Sequence, residues 1–499
     1  MAAIVPVLAE SLQFIFTGQT PLWIIAGLLL GILFGALPGI GATLGMAIIL
    51  PLTIPLDGTD AIILLISIYS GAMYGGSISA ILINVPGTAG AAATTFDGYP
   101  MSKKGQAITA LTTSATSSAL GGLLTIFVLI LISPLMIELV LLFGSPHYFL
   151  LAILGLAMIS VITKGSVVKG LVAGAFGLML MTVGIAPTVP VQRFTFGSTM
   201  LYSGLSYIAI LIALFAIAEM IRLASEEKIS KESVELQGSR LSGVKNTIYH
   251  PLLVAKSAII GMLVGAVPGS GASVSNFLSY GEAVRSSKHP EDFGTGIGEG
   301  VIASESANNG TVGGSLVPTF AFGIPGSGST AVLLGGLIMH GLRPGPDLFT
   351  TQLNVTYSVL LALLVGNFII VLVGLTLVPR AGYLTRIDTH LIIPSIIVLS
   401  FLGSLALRNN WVDVATIVVL GFVGFYMKKH DYSVIAFVLG AILGPIAESN
   451  MYRSLSVSGG SFGIFVSDPL SIGLAASILI ILLGPVIKSV LSQRNSSSA

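Results

Sequence analysis

Four short motifs interrupt apolar stretches of this 499-residue chain: Pro38-Gly39-Ile40-Gly41, Pro86-Gly87-Thr88, Pro268-Gly269-Ser270-Gly271 and Pro325-Gly326-Ser327. Proline removes a backbone donor and disrupts a helix, and glycine admits backbone conformations closed to other residues. In hydrocarbon, the N–H and C=O groups freed by such a break must be met by protein or by a wet cavity. Half-helix N-termini then present N–H donors and a positive dipole end to an anion, while exposed carbonyls suit a cation. The chemistry on offer is reversible capture of a small charged solute. The candidate substrate contacts are Pro38, Gly39, Gly41, Thr43, Pro86, Gly87, Thr88, Pro268, Gly269, Gly271, Ser273, Pro325, Gly326 and Ser327, with Gly39 and Gly269 also candidate ion contacts through their carbonyls. Short hydroxyls close by (Thr94, Thr95, Ser275, Ser329, Thr330) suit a polar ligand, although some must simply bond back to their own helix.

Glu305-Ser306-Ala307-Asn308-Asn309-Gly310 adds a carboxylate and two amides inside a weakly polar stretch. Asn308 and Asn309 could orient substrate carboxylates, and Glu305 could take a proton or Na⁺, or could cap a helix at the membrane interface. Arg343 reads as a loop cation, and Lys103 and Lys104 as topology determinants.

The motifs recur in order. Residues 31–42 (GILFGALPGIGA) and 261–272 (GMLVGAVPGSGA) share a pattern at an offset of 230. Gly75-Gly76-Ser77 leads to Val85-Pro86-Gly87 as Gly313-Gly314-Ser315 leads to Ile324-Pro325-Gly326, with one extra residue in the second copy. A single motif fits a helix kink or a tight helix contact equally well. Breaks at repeat-related positions in two halves favour a transporter binding site.

The elements that must position these residues are membrane helices. The chain is 54% hydrophobic and 9% charged, with 60 glycines, and its mean hydropathy is +0.97. Soluble proteins carry about 25% charged residues, so this surface must face lipid. Several apolar stretches are shorter than the ~20 residues a crossing needs, which predicts half-helices and hairpins among roughly ten to fourteen spanning elements. No Lys or Arg precedes Lys103, so the stretch 21–37 reads as a retained membrane segment. The segment from Arg222 to Lys256 is the extended charged stretch, with Lys228, Lys231, Arg240 and Lys245 against Glu226, Glu227, Glu232 and Glu235, and its basic excess predicts a cytoplasmic loop. The expectation is an all-α polytopic protein of two repeat-related halves with discontinuous helices and re-entrant hairpins. Residues 1–221 form the first transmembrane repeat, 222–256 a cytoplasmic linker, and 257–499 the second repeat with C-terminal helices.

Other chemistries lack support. A net charge of +1 offers no basic face for nucleic acid, and the absence of cysteine removes disulfides and thiolate metal sites. The six histidines are dispersed, without i, i+4 spacing. No phosphate-binding loop with its lysine exists, so no cofactor or metal is expected and the energy must come from an ion gradient or another subunit. No catalytic residue is assigned. The rival is a passive anion channel, which would need charge rings or a carbonyl filter.

The assembled blocks resemble the TctA family, the large membrane subunit of tripartite tricarboxylate transporters. They are Gly35-Ala36-Leu37-Pro38-Gly39-Ile40-Gly41, Tyr74-Gly75-Gly76-Ser77, Asn84-Val85-Pro86-Gly87-Thr88, Phe96-Asp97-Gly98-Tyr99-Pro100, Gly265-Ala266-Val267-Pro268-Gly269-Ser270-Gly271, Glu305-Ser306-Ala307-Asn308-Asn309 and Gly323-Ile324-Pro325-Gly326-Ser327. One departure is the serine at 306, where the family segment has alanine. The resemblance implies a prokaryotic plasma (inner) membrane protein that takes up di- and tricarboxylates such as citrate with Na⁺ or H⁺. It further implies a small four-helix membrane subunit and an extracytoplasmic solute-binding protein as partners, inverted repeats and an elevator-like movement. A carrier working without a binding protein is the nearer alternative.

Overall fold

The computed structural model describes residues 4–162, 166–186, 189–225, 236–378 and 389–496. Glu226, Glu227, Lys228, Lys231, Glu232 and Glu235 of the expected linker lie outside the described residues. The fold is helical, and the strand pairing among the described residues is one short antiparallel contact of Gly184–Ile185 with Gln192–Arg193. Six of the described helices are long and apolar enough to cross a membrane, or up to eight if each of two bent helix pairs counts as one span. Among the described residues this is fewer than the expected ten to fourteen crossings, and several apolar stretches there are half-length helices.

The helices that build the site are α1 (Thr20–Ala36), α2 (Gly41–Ile49), α3 (Gly58–Ile83), α4 (Thr94–Lys103) and α5 (Ala107–Leu141) in the first half. Then come α6 (Ala218–Ser225), α7 (Pro251–Gly265), α8 (Gly271–Ser286), α9 (Gly298–Phe322), α10 (Gly328–Met339) and α11 (Trp411–Lys429). Arg222, taken from sequence as the start of the linker, lies inside α6.

Glycine spacing dictates the central packing. In lipid, helices gain little from burying apolar surface against each other, so association relies on small residues that let backbones approach. Gly27, Gly31 and Gly35 of α1 face α3 so closely that a Cβ there would stand 2.6, 2.3 and 2.3 Å from the carbonyl oxygens of Leu64, Ile68 and Ala72. Gly71 and Gly75 of α3 return the contact, 2.4 Å from the oxygens of Leu28 and Ile32. The α7–α9 pair uses the same device: Gly261 against Ala307 (2.3 Å), Gly265 against Thr311 (2.7 Å), Gly310 against Ala258 (2.7 Å) and Gly314 against Met262 (2.1 Å).

These contacts correct the alignment of the repeat. Gly31 and Gly35 correspond to Gly261 and Gly265, but Gly71 and Gly75 correspond to Gly310 and Gly314, 239 positions on. Gly75 thus pairs with Gly314, not Gly313, and no extra residue is needed before the second Pro-Gly. The helix ends agree: α3 closes on Asn84 (φ 57°) and α9 on Gly323 (φ 67°), both left-handed and also 239 apart. On this register Tyr69 occupies the place of Asn308, and Ile66 that of Glu305.

The long central helices α3 and α9 run antiparallel against each other. Tyr69 meets Ser315 (3.4 Å), Met73 O accepts from Asn308 Nδ2 (2.9 Å) and Ser77 Oγ donates to Glu305 Oε2 (3.0 Å). One end of the molecule gathers Thr20 with Asp60 and Thr53 with His340. At the other, Asp97 of α4 accepts from the backbone N–H of Gly294 (3.0 Å), Gly296 (2.8 Å) and Ile297 (3.1 Å) and from the Tyr280 hydroxyl (2.8 Å). A buried carboxylate satisfied by N–H groups just ahead of α9 meets both the donors and the dipole of that helix start. It also ties the two halves together.

Candidate functional site

All four Pro-Gly breaks meet at one cavity of about 1300 Å³. Its wall is formed by residues 38–43, 85–90, 267, 269–274 and 327–329, closed by Tyr69, Met73 and Phe215 and by residues 431–435 after α11. Of the residues expected at a binding site, Pro38, Gly39, Gly41, Thr43, Pro86, Gly87, Thr88, Gly269, Gly271, Ser273 and Ser327 line it. Pro268, Pro325, Gly326, Asn308, Asn309 and Glu305 are not on its wall.

The breaks are held open by glycine backbone. Gly39, Gly41, Gly269 and Gly271 all have positive φ (89°, 63°, 74° and 65°), a region that penalises a Cβ. Gly269 N donates to Gly326 O (2.9 Å), which fastens the third break to the fourth, and Gly87 N donates to Gly76 O (3.1 Å) within the second. Across the halves, the hydroxyls of Thr43 and Ser329 meet at 2.9 Å.

Two helices begin at the cavity without a side-chain cap. The residues before α2 and α8, Ile40 and Ser270, make no capping bond, because Ser270 Oγ turns instead to the carbonyls of Val264 and Val267. A helix start leaves about four N–H groups unsatisfied, and such ends bind anions. The start of α10 differs: Ser327 and Thr330 form a reciprocal capping box, so the Ser327 hydroxyl is already engaged. The buried Thr88 Oγ1, on the cavity wall, has no hydrogen-bond partner.

Asn308 stands one layer behind. A Cβ on Gly90, which lines the cavity, would come within 2.1 Å of Asn308 Oδ1. That oxygen is buried and unpartnered, while Nδ2 holds the Met73 carbonyl. Asn309 is buried with neither amide atom bonded. Glu305 is fully buried among hydroxyls, accepting from Ser77 (3.0 Å), Ser118 (2.8 Å) and Thr94. It therefore joins α3, α4, α5 and α9 at the contact between halves rather than capping a helix end.

Sequence reasoning missed the charged lining. Arg222 and Lys428 reach the cavity wall, and Glu219 binds both: Oε1 accepts from Arg222 Nε (2.8 Å) and Nη2 (2.5 Å), and Oε2 from Lys428 Nζ (2.5 Å). The i, i+3 spacing of Glu219 and Arg222 was visible, but beside a charged segment it read as the edge of a loop. Arg343 is exposed, as expected of a loop cation.

A helical membrane protein whose paired helix breaks line one cavity fits the class of solute transporters, and comparison with known proteins narrows the class. Residues 22–439 match the tripartite tricarboxylate transporter TctA family. The chain belongs to that family, the large subunits of tripartite tricarboxylate transporters. It is 34% identical over 482 residues to the "uncharacterized 52.8 kDa protein in TAR-I ttuC' 3'region" of Agrobacterium vitis, covering 96% of each chain. It is 31% identical over 235 residues to the "uncharacterized protein in TAR-II ttuC' 3'region" of the same organism, covering 47% of this chain and 97% of that one. No solved structure matches.

Proposed function

We propose that the chain carries small carboxylates, di- and tricarboxylates such as citrate, into a prokaryotic cell across the inner membrane. On this reading it is an ion-coupled carrier served by a small membrane subunit and an extracytoplasmic solute-binding protein. The observation that carries the reading is the convergence of all four breaks on one cavity, with the uncapped starts of α2 and α8 at its wall. One helix start from each half offers N–H groups to a carboxylate, and Thr88 adds an unpaired hydroxyl. Gly39 and Gly269 carbonyls and the hydroxyl-bound Glu305 are the proposed sites for Na⁺ or H⁺. Asn308 supports the wall from behind.

The halves act as inverted repeats. Support comes from the recurring glycine contacts and from the antiparallel run of the corresponding helices α3 and α9. Lys428 and Lys429 close α11, and with Arg222 they mark a basic end that the positive-inside rule assigns to the cytoplasm. The cavity reaches that end.

The test is solute counterflow in proteoliposomes carrying the chain with its partner subunits. Saturable exchange of labelled citrate, lost in Gly269→Leu and reduced in Asn308→Ala at normal membrane insertion, supports the reading. Full uptake by both variants, or non-saturable conductance, overturns it.

A further inference from the structure

We propose that Glu305, Asn309 and Asn367 form a buried site for a monovalent metal cation, one layer behind the cavity. This rests on the carrier reading above and deepens it. Of the two coupling ions that reading allows, these side chains take Na⁺ rather than H⁺, and they hold it away from the helix breaks.

The site begins with an uncompensated charge. Glu305 is fully buried and accepts from the hydroxyls of Ser77, Ser118 and Thr94, and among the described residues no Lys, Arg or His pairs with it. A carboxylate at membrane depth without a counter-charge is costly, so it recruits a cation or a proton. Unpaired amide oxygens choose between the two. Asn309 is 1% exposed with neither amide atom bonded, and Asn367 is 2% exposed with an unbonded Oδ1. A proton on Glu305 leaves both oxygens without a partner, whereas a metal cation takes them as ligands beside the carboxylate. One carboxylate among neutral oxygens matches a single positive charge, and among the described residues no group of three His, Asp or Glu offers a metal ion its ligands.

Helix packing gathers the three side chains. α5 and α9 run parallel in contact: Ser118 donates to Glu305, a Cβ on Gly121 would stand 2.4 Å from Ser306 O, and one on Gly313 would stand 2.9 Å from Thr125 Oγ1. Asn309 lies one turn beyond Glu305 and between those last two contacts, which sets it against α5 at the level of Gly122. There a Cβ would come within 2.3 Å of Asn367 Oδ1, from the helix Leu353–Thr376. Glycine at 122 thus admits an amide oxygen to the α5–α9 contact, one turn from the carboxylate. The first half has Ile66 and Ser70 at the places of Glu305 and Asn309, so the site occurs once per chain.

The site adjoins the cavity through the second break. Thr94, which donates to Glu305, opens α4 just after the wall residues 85–90, and Asn308, next to Asn309, backs Gly90. An ion at Glu305 therefore orders the wall from behind and raises its affinity for solute, and bound solute raises the affinity for the ion by the same factor.

The experiment measures binding of radiolabelled Na⁺ to the full chain with its partner subunits, and citrate uptake by the same proteins in proteoliposomes under an imposed Na⁺ or pH gradient. The unaltered protein should bind Na⁺ saturably and take up citrate on a Na⁺ gradient at constant pH. Asn309→Ala and Asn367→Ala leave the charge in place and should raise the Na⁺ concentration for half-maximal binding at least about tenfold. Glu305→Gln should abolish binding. The two alanine variants keep the test open if Glu305→Gln does not fold. Uptake on a pH gradient alone, with no Na⁺ bound, overturns the site. Unaltered Na⁺ binding in any folded variant of the three does so too, and either result leaves the carrier reading standing. Failure of the unaltered protein to move citrate under any gradient overturns the carrier reading itself.

Discussion

Gly39 and Arg222 are in direct opposition: a Cβ added at position 39 would lie 3.0 Å from Arg222 Nη2 and 2.9 Å from Leu223 Cδ2. The first helix break and the end of α6, some 180 residues apart in sequence, thereby share one wall of the cavity. The contact explains why glycine is needed at position 39 twice over, for its φ of 89° and for space.

Gly39→Ala should therefore impair transport strongly while leaving membrane insertion intact. Forcing a side chain into left-handed backbone costs about 1–3 kcal/mol, and here the strain falls on the break itself. Uptake normalised to protein in the membrane checks this. Unimpaired uptake would mean that the break is not held as described.

The glycine contacts between α1 and α3 and between α7 and α9 predict graded sensitivity. Gly75→Leu and Gly314→Leu place side chains where carbonyl oxygens stand 2.4 and 2.1 Å away, so both should lower the yield of folded protein sharply. Gly281→Ala in α8 has nothing within 4 Å and a helical backbone. It should be neutral or stabilising by up to about 1 kcal/mol, the ordinary helix preference of alanine over glycine. Size-exclusion profiles and thermal melts in detergent separate the two classes.

Asp97 predicts a stability effect without a change of solute. Asp97→Ala strips four donors of their acceptor, three backbone N–H groups just ahead of α9 and the Tyr280 hydroxyl of α8. Hydrogen bonds to a charged group contribute about 1.5–3 kcal/mol, so the loss should exceed that of Tyr280→Phe, which removes one bond. Melting temperatures should rise in the order Asp97→Ala, Tyr280→Phe, wild type, while the KM of protein that remains folded changes little.

A pH dependence follows from Asp468, which lies in the loop before the last helix and binds His147 at 3.1 Å. Bonds from the Ser471 hydroxyl, the Ser471 backbone N–H and His147 hold its carboxyl well below the usual range. A carboxyl depressed on folding adds stability above its unfolded pKa, about 3.9, and that stability is lost as pH falls through the lower folded value. Hydrogen exchange at residues 469–474 should stay slow at pH 4 and rise only in stronger acid. In Asp468→Asn it should be fast throughout.

How much of this was written legibly in the chain follows from how local each signal is. Pro-Gly breaks, half-length apolar runs and the offset of 230 depend on neighbouring residues, so they could be read directly, and the breaks do converge. The register of the second motif could not, because Gly313 and Gly314 look equivalent until α7 shows which one it touches. Contacts such as Lys428 to Glu219, 209 positions apart, and Gly296 to Asp97, 199 apart, leave no periodic trace. Asn308 stands out in the sequence as an amide in an apolar helix, yet its place behind Gly90 depends on the crossing of α3 and α9.

The central claim is that the solute sits where the four breaks meet. Cryo-electron microscopy of the full chain with citrate tests it most directly. The account predicts added density between Gly39–Thr43, Thr88 and Gly269–Ser273, reaching toward Arg222. Citrate density outside this cavity, with the cavity wall unchanged and empty, would contradict it.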